Sequence, residues 1–163
     1  VIALAAASGA AGSLGNALEN HFTGNRALPL MAGLFIALLL GPLFGVIGLY
    51  LSAGLVRWTG SWLGGVATPD EARAAVAWAT VPTLWGMLLW LPILATGGRV
   101  DAVMTLVGLA QAVLGIWTFV ISLKCLGEAH RFSAWKALGA EILAGLIVLV
   151  PFACLLFAIL GAR

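Results

Sequence analysis

Few side chains in this sequence could do chemistry. There are two histidines, His21 and His130, two cysteines, Cys125 and Cys154, and six carboxylates. A hydrolase needs a nucleophile with a base in reach. No Gly-x-Ser-x-Gly elbow, no His-Glu-x-x-His zinc motif and no pair of aspartates inside a helix occurs. Gly64-Gly65 lacks the Lys-Ser/Thr that follows in a phosphate loop. Two histidines and two cysteines are a small ligand set for a metal, and two thiols make no disulfide framework. Cys154 lies in an apolar run, where thiolate formation is disfavoured. The expectation is a protein that is not an enzyme, with no catalytic residue, no cofactor and no metal. What remains is Gln111 and Glu141, alone within apolar runs, and two polar segments rich in charge, glycine and aromatics.

The elements that must position these residues are almost wholly apolar. The 163 residues are 63% hydrophobic and 9% charged, with a net charge of +2, and the mean hydropathy is +1.12. A soluble domain is about 25% charged. The difference excludes a water-soluble globule, a disordered chain and a nucleic-acid binder, and the net charge is too small to imply a polyanionic partner. Charges cut the chain into apolar runs at 1–18, 27–56, 74–98, 102–123 and 137–162, the last broken only by Glu141. A helix needs about 20 apolar residues to cross a bilayer. We therefore expect an all-α, polytopic transmembrane bundle of five helices in a single membrane domain. Its spans are placed at approximately 1–18, 30–55, 72–96, 102–123 and 137–161. The first, rich in Ala, Gly and Ser, is a borderline span. Continuous apolarity speaks against the alternating strands of a membrane barrel. Val1 is not an initiator methionine, so a preceding segment is left open, and residues 1–15 lack the basic start of an intact signal peptide.

Local signals refine the helices. Prolines 42, 82, 92 and 151 each remove a helix hydrogen bond and are read as bends. Gly41 and Gly45 form a Gly-x-x-x-Gly pair for close helix approach, inside the chain or with another protein. Thr68-Pro69-Asp70-Glu71 has the spacing of a capping box, Gly97-Gly98 of a helix stop, and Ser133 precedes the last helix as a cap. Trp58, Trp62 and Trp135 flank spans and read as interfacial anchors. Trp78, Trp85 and Trp90 read as packing or lipid contact. Gln111 reads as an interhelical hydrogen-bond former. Glu141, about one turn inside the last helix, reads as a structural partner, with a transport or proton role as the alternative. Cys125 reads as a plain thiol, with palmitoylation as the alternative.

Arg57, Arg73, Lys124, Arg131 and Lys136 fall on one side of the five spans, and Arg26, Arg99 and Arg163 on the other. The positive-inside rule puts the first set in the cytoplasm, with the N-terminus inside and the C-terminus outside. His21 and His130 then face opposite compartments and cannot share a metal. The cytoplasmic face has two pieces. One contains Gly64, Gly65, Asp70, Glu71 and Arg73. The other contains Glu128, His130, Phe132, Ser133 and Trp135. Together they suit a docking surface for other integral membrane proteins. A solvated loop with lipid-anchoring aromatics is the plainer reading.

The same residues resemble the Yip1-domain family. Gly64-Gly65 follows the second span, then a polar stretch, then Trp78 with Pro82 four residues later. Trp117 and Phe119 precede the run Gly127-Glu128-Ala129-His130-Arg131-Phe132-Ser133-Ala134-Trp135-Lys136-Ala137, which is similar to the family's Glu-x-His-x-aromatic-Ser turn before its last helix. The resemblance covers roughly residues 30–160, and Arg131 stands where glycine is more usual. It implies a non-enzymatic five-helix membrane protein with a cytoplasmic N-terminus. Eukaryotic members act in vesicle trafficking with partners that include Rab GTPases, and Rab binding is not carried over to this chain. The short loops and Ala/Leu/Gly-rich composition read as bacterial. The function expected is a membrane adaptor or accessory subunit of the bacterial cytoplasmic (inner) membrane. A small transporter, channel or lipid-handling protein, as an oligomer or alone, is the alternative.

Overall fold

A computed structural model describes residues 1–22, 29–96 and 101–161. The Gly97-Gly98 stop and the outer arginines Arg26, Arg99 and Arg163 lie outside the described residues. Helix α1 runs Ile2–Phe22 and α2 Leu30–Trp62. An interrupted rod follows, made of α3 (Pro69–Ala79), α4 (Val81–Gly86), a 3₁₀ turn (Met87–Leu89) and α5 (Trp90–Thr96). Helices α6 (Asp101–His130) and α7 (Ala134–Gly161) complete the chain. Five rods result, and none of the described residues forms a strand. This is the all-α polytopic bundle that the apolar runs dictate.

The rods at Leu30–Trp62, Pro69–Ala95, Asp101–His130 and Ala134–Gly161 are long and apolar enough to cross a membrane. They are apolar on every side, and large residues such as Phe35, Leu51, Leu109, Ile116, Phe152 and Phe157 are exposed. An all-round apolar helix suits lipid contact rather than one buried stripe. Helix α2 has 33 residues, so it is about 50 Å long and overshoots a hydrocarbon core of about 30 Å. Helix α1 has 21 residues and is less apolar. Small residues hold it to α2. A Cβ at Gly45 would run into the Ala5 carbonyl oxygen and lie 2.8 Å from the Gly9 Cα. One at Gly41 would lie 2.9 Å from the Gly9 carbonyl oxygen and from Ser13 Oγ. Two backbones touch here, as small-residue spacing allows. The Gly41/Gly45 pair is thus used inside the chain.

The third rod breaks where Pro82 removes a donor. Thr80 closes α3, and both the backbone N–H and the hydroxyl of Thr83 donate to its carbonyl, at 3.0 and 2.5 Å. Pro42 and Pro151 lie within the continuous helices α2 and α7. The interior is small. Val56, Ala75, Leu126, Ala137 and Ala144 form one cluster, Leu18, Trp90, Ile93 and Val107 a second, and Ala5, Leu49 and Ala77 a third. Trp90 is in the core, whereas Trp78 and Trp85 point outward at 62% and 59% exposure.

Candidate interaction surface

Helices α2 and α6 end side by side, and both ends close by the same hydrogen-bond pattern. At the end of α2, the Gly65 N–H donates to the Gly60 carbonyl at 2.9 Å and the Gly64 N–H to that of Ser61 at 3.1 Å. At the end of α6, the Phe132 N–H donates to the Gly127 carbonyl at 3.0 Å and the Arg131 N–H to that of Glu128 at 3.2 Å. Each pair is a Schellman motif, which turns the chain through one left-handed residue. That residue is Gly64 (φ 84) in the first turn and Arg131 (φ 57) in the second.

His130 joins the two turns. It is the last residue of α6 and is 1% exposed. Its ring fills the space left by two missing side chains: a Cβ at Gly60 would lie 2.6 Å from its Nε2, and one at Gly65 2.8 Å from its Cγ. The Phe132 ring stacks on its other side, with centroids 5.0 Å apart and planes within 11°. The His130 carbonyl accepts from the Val66 N–H at 3.3 Å. Neither ring nitrogen has a hydrogen-bond partner among the described residues. Burial pushes the imidazole below its ordinary range; the Arg57 charge adds to this and the Glu71 carboxylate opposes it. Thr59, fully buried, reinforces the lock by donating to the Ala140 carbonyl of α7 at 2.9 Å.

The start of α3 is rigid too. The Thr68 N–H and hydroxyl both donate to Glu71 Oε2 at 2.8 Å, and the Glu71 N–H donates back to Thr68 Oγ1 at 3.3 Å. This is the capping box its spacing predicts. Those bonds hold the exposed Glu71 carboxyl below the ordinary carboxylate range. Arg73 lies back on its own helix, 3.4 Å from Asp70, with its guanidinium 5.2 Å from the Tyr50 ring centroid. Arg57 Nε donates to the Ala67 carbonyl at 3.2 Å, closing the turn after α2.

The two polar segments therefore form one surface. Gly64, Gly65, His130 and Phe132 build its frame. Asp70, Glu128 and Ser133 are exposed on it, and Trp135 projects at 82% exposure. Trp58 and Trp62 meet edge to face at 4.9 Å on the same end. Lys124, Glu128, Glu71 and Trp78 border a cleft of about 410 Å³ between α3 and α6. His21 closes α1 beside the start of α2, far from this end; Ala17 of α1 packs on Gly33 of α2. Glu141 and Gln111 are apart from the surface. Glu141 accepts from the Ser122 hydroxyl at 2.7 Å, and Gln111 lines a cleft between α1 and α6. Sequence reasoning placed Thr59, Gly60 and Gly127 within the two polar segments and did not single them out as parts of the frame. The signal of the glycines was position: Gly60 stands two residues before the end of α2 and Gly127 three before the end of α6.

The family model described as Yip1 domain matches residues 1–156. No curated protein and no solved structure matches the chain.

Proposed function

The chain belongs to the Yip1-domain family, and from that membership we infer that it works as an adaptor or accessory subunit that docks other membrane proteins. It is a non-enzymatic, multi-spanning membrane protein embedded in the lipid bilayer. The observation that carries the finer reading is the His130 lock, which fixes two segments distant in sequence into one face. A face held rigid before a partner arrives loses little entropy on binding. Its exposed members, Asp70, Glu128, Ser133 and above all Trp135, would meet the partner. An exposed indole at an interface is a common binding anchor. The five cations Arg57, Arg73, Lys124, Arg131 and Lys136 belong to this end, which supports a cytoplasmic position with the N-terminus inside and the C-terminus outside. The short loops and small-residue composition support a bacterial inner membrane.

The test is gentle purification of the tagged protein from its own membrane. A second membrane protein is expected at stoichiometric amounts, lost with Trp135→Ala or Glu128→Ala and retained with the lipid-side change Phe157→Ala. Recovery only as a monomer or homo-oligomer, or a partner retained by all three variants, overturns the reading.

A further inference from the structure

Two clefts open between the rods within their apolar runs. One, about 340 Å³, lies among α2, α3, α6 and α7 and has Glu141, Ser122, Thr118 and Thr80 in its wall. The other, about 290 Å³, lies among α1, the interrupted rod and α6 and has Asn16, Glu19, Thr83, Gln111 and Thr118 in its wall. Thr118 borders both. The break of the third rod falls between them, with Thr80 on one side and Thr83 on the other.

The hydrogen-bonding character of these walls is specific. The Thr118 hydroxyl donates to the Leu114 carbonyl at 2.8 Å, that of Thr80 to Ala77 at 2.7 Å, and that of Thr83 to Thr80 at 2.5 Å. Each hydroxyl has one hydrogen, here committed to its own helix backbone. The lone pairs that remain on each oxygen are acceptors. The Ser122 hydroxyl lies within hydrogen-bond distance of both Glu141 Oε1, at 2.7 Å, and the Phe119 carbonyl of its own helix, at 2.9 Å, and the second Glu141 oxygen is left for a ligand. Among the described residues, each cleft has a carboxylate in its wall, Glu141 or Glu19, and no lysine, arginine or histidine. The acceptor oxygens and the carboxylate around Glu141 suit a cation, and the amides of Asn16 and Gln111 in the second cleft add carbonyl oxygens that a cation can use alongside their N–H donors. Glu141 lies within an apolar run, where a carboxylate is costly and marks an ion pathway.

We propose that Thr118 joins the two clefts into a route for a small monovalent cation, a proton or an alkali ion, with Glu141 as its binding carboxylate. This is independent of the docking face, since none of the route residues belongs to it.

The test uses the purified full chain in vesicles of neutral phospholipid under an imposed potential. An internal pH-sensitive dye reads protons, and sodium- and potassium-selective dyes read the alkali ions. Entry of one cation faster than into empty vesicles is expected. Glu141→Gln should slow it about tenfold or more, the effect of losing a bond to a charged group. Thr118→Val, of nearly unchanged shape, should slow it as well. The dye that responds identifies the cation. Flux equal to that of empty vesicles overturns the proposal, as does flux unchanged by Glu141→Gln. If Glu141→Gln does not fold, an unchanged flux with Thr118→Val overturns it instead.

Discussion

The two turns that close α2 and α6 share one hydrogen-bond pattern and differ in what they contribute. The turn after α2 has glycine at its left-handed position and at the next residue; the turn after α6 has Arg131 and Phe132 there. The first turn is a hole. Gly60 and Gly65 leave out the side chains whose space the His130 ring takes. The second turn is the plug, since His130 and Phe132 come from it stacked together. A glycine at 65 is thus required by a neighbour, whereas the glycine at 64 is required by its own φ. At Arg131 the same backbone conformation is held without glycine, because the flanking contacts fix it.

Filling the hole should have the largest effect. Gly65→Leu would drive a side chain into His130 and Phe132, and overpacking costs about 1–3 kcal/mol, occasionally more. Thermal unfolding in detergent reads it as a lower midpoint; an unchanged midpoint would mean that the ring does not occupy this space. A matched pair of turn variants comes next. Gly64→Ala should lose about 1 kcal/mol, the left-handed penalty less the entropy gained, and Arg131→Gly should recover a similar amount. Opposite signs in one unfolding assay would sharpen the comparison, and equal signs would break it. The smallest effect is a pH slope. Since the folded His130 binds its proton less readily than the ordinary value of 6.5, the unfolded chain takes up that proton first. Stability should be full above about pH 6.5 and fall as the pH drops below it. His130→Asn should flatten that slope relative to wild type.

The helices were legible because continuous apolar runs leave one solution in lipid, where every backbone group must bond within its own segment. The capping box at Thr68 and Glu71 was legible because its spacing and its geometry are the same thing. The Gly41/Gly45 pair was legible as a contact and not as an address: nothing in its spacing names Gly9 as the partner. At the end of α6, His130 sits in a charged stretch and reads as a loop residue, yet it is buried. What hides it is two glycines about half a chain away, and no local pattern reports a cavity made by distant residues. Thr59 and Ser122 were illegible for a related reason. A lone hydroxyl in an apolar run always bonds its own backbone, and only the fold shows which also reach across to another helix.

The His130 plug also sets an order of events. Its hole lies at the end of α2 and in the turn after it, and its ring at the end of α6, so a ribosome delivers the hole long before the plug. Until α6 has emerged, Gly60 and Gly65 face an empty notch, and the rim around Asp70 has no counterpart from Glu128 and Trp135. A chain interrupted before that point would still place helices in the bilayer, but it would present no assembled face. The assembled face is thus a mark that synthesis has passed the end of α6, and the docking proposed above would engage only chains that have come that far.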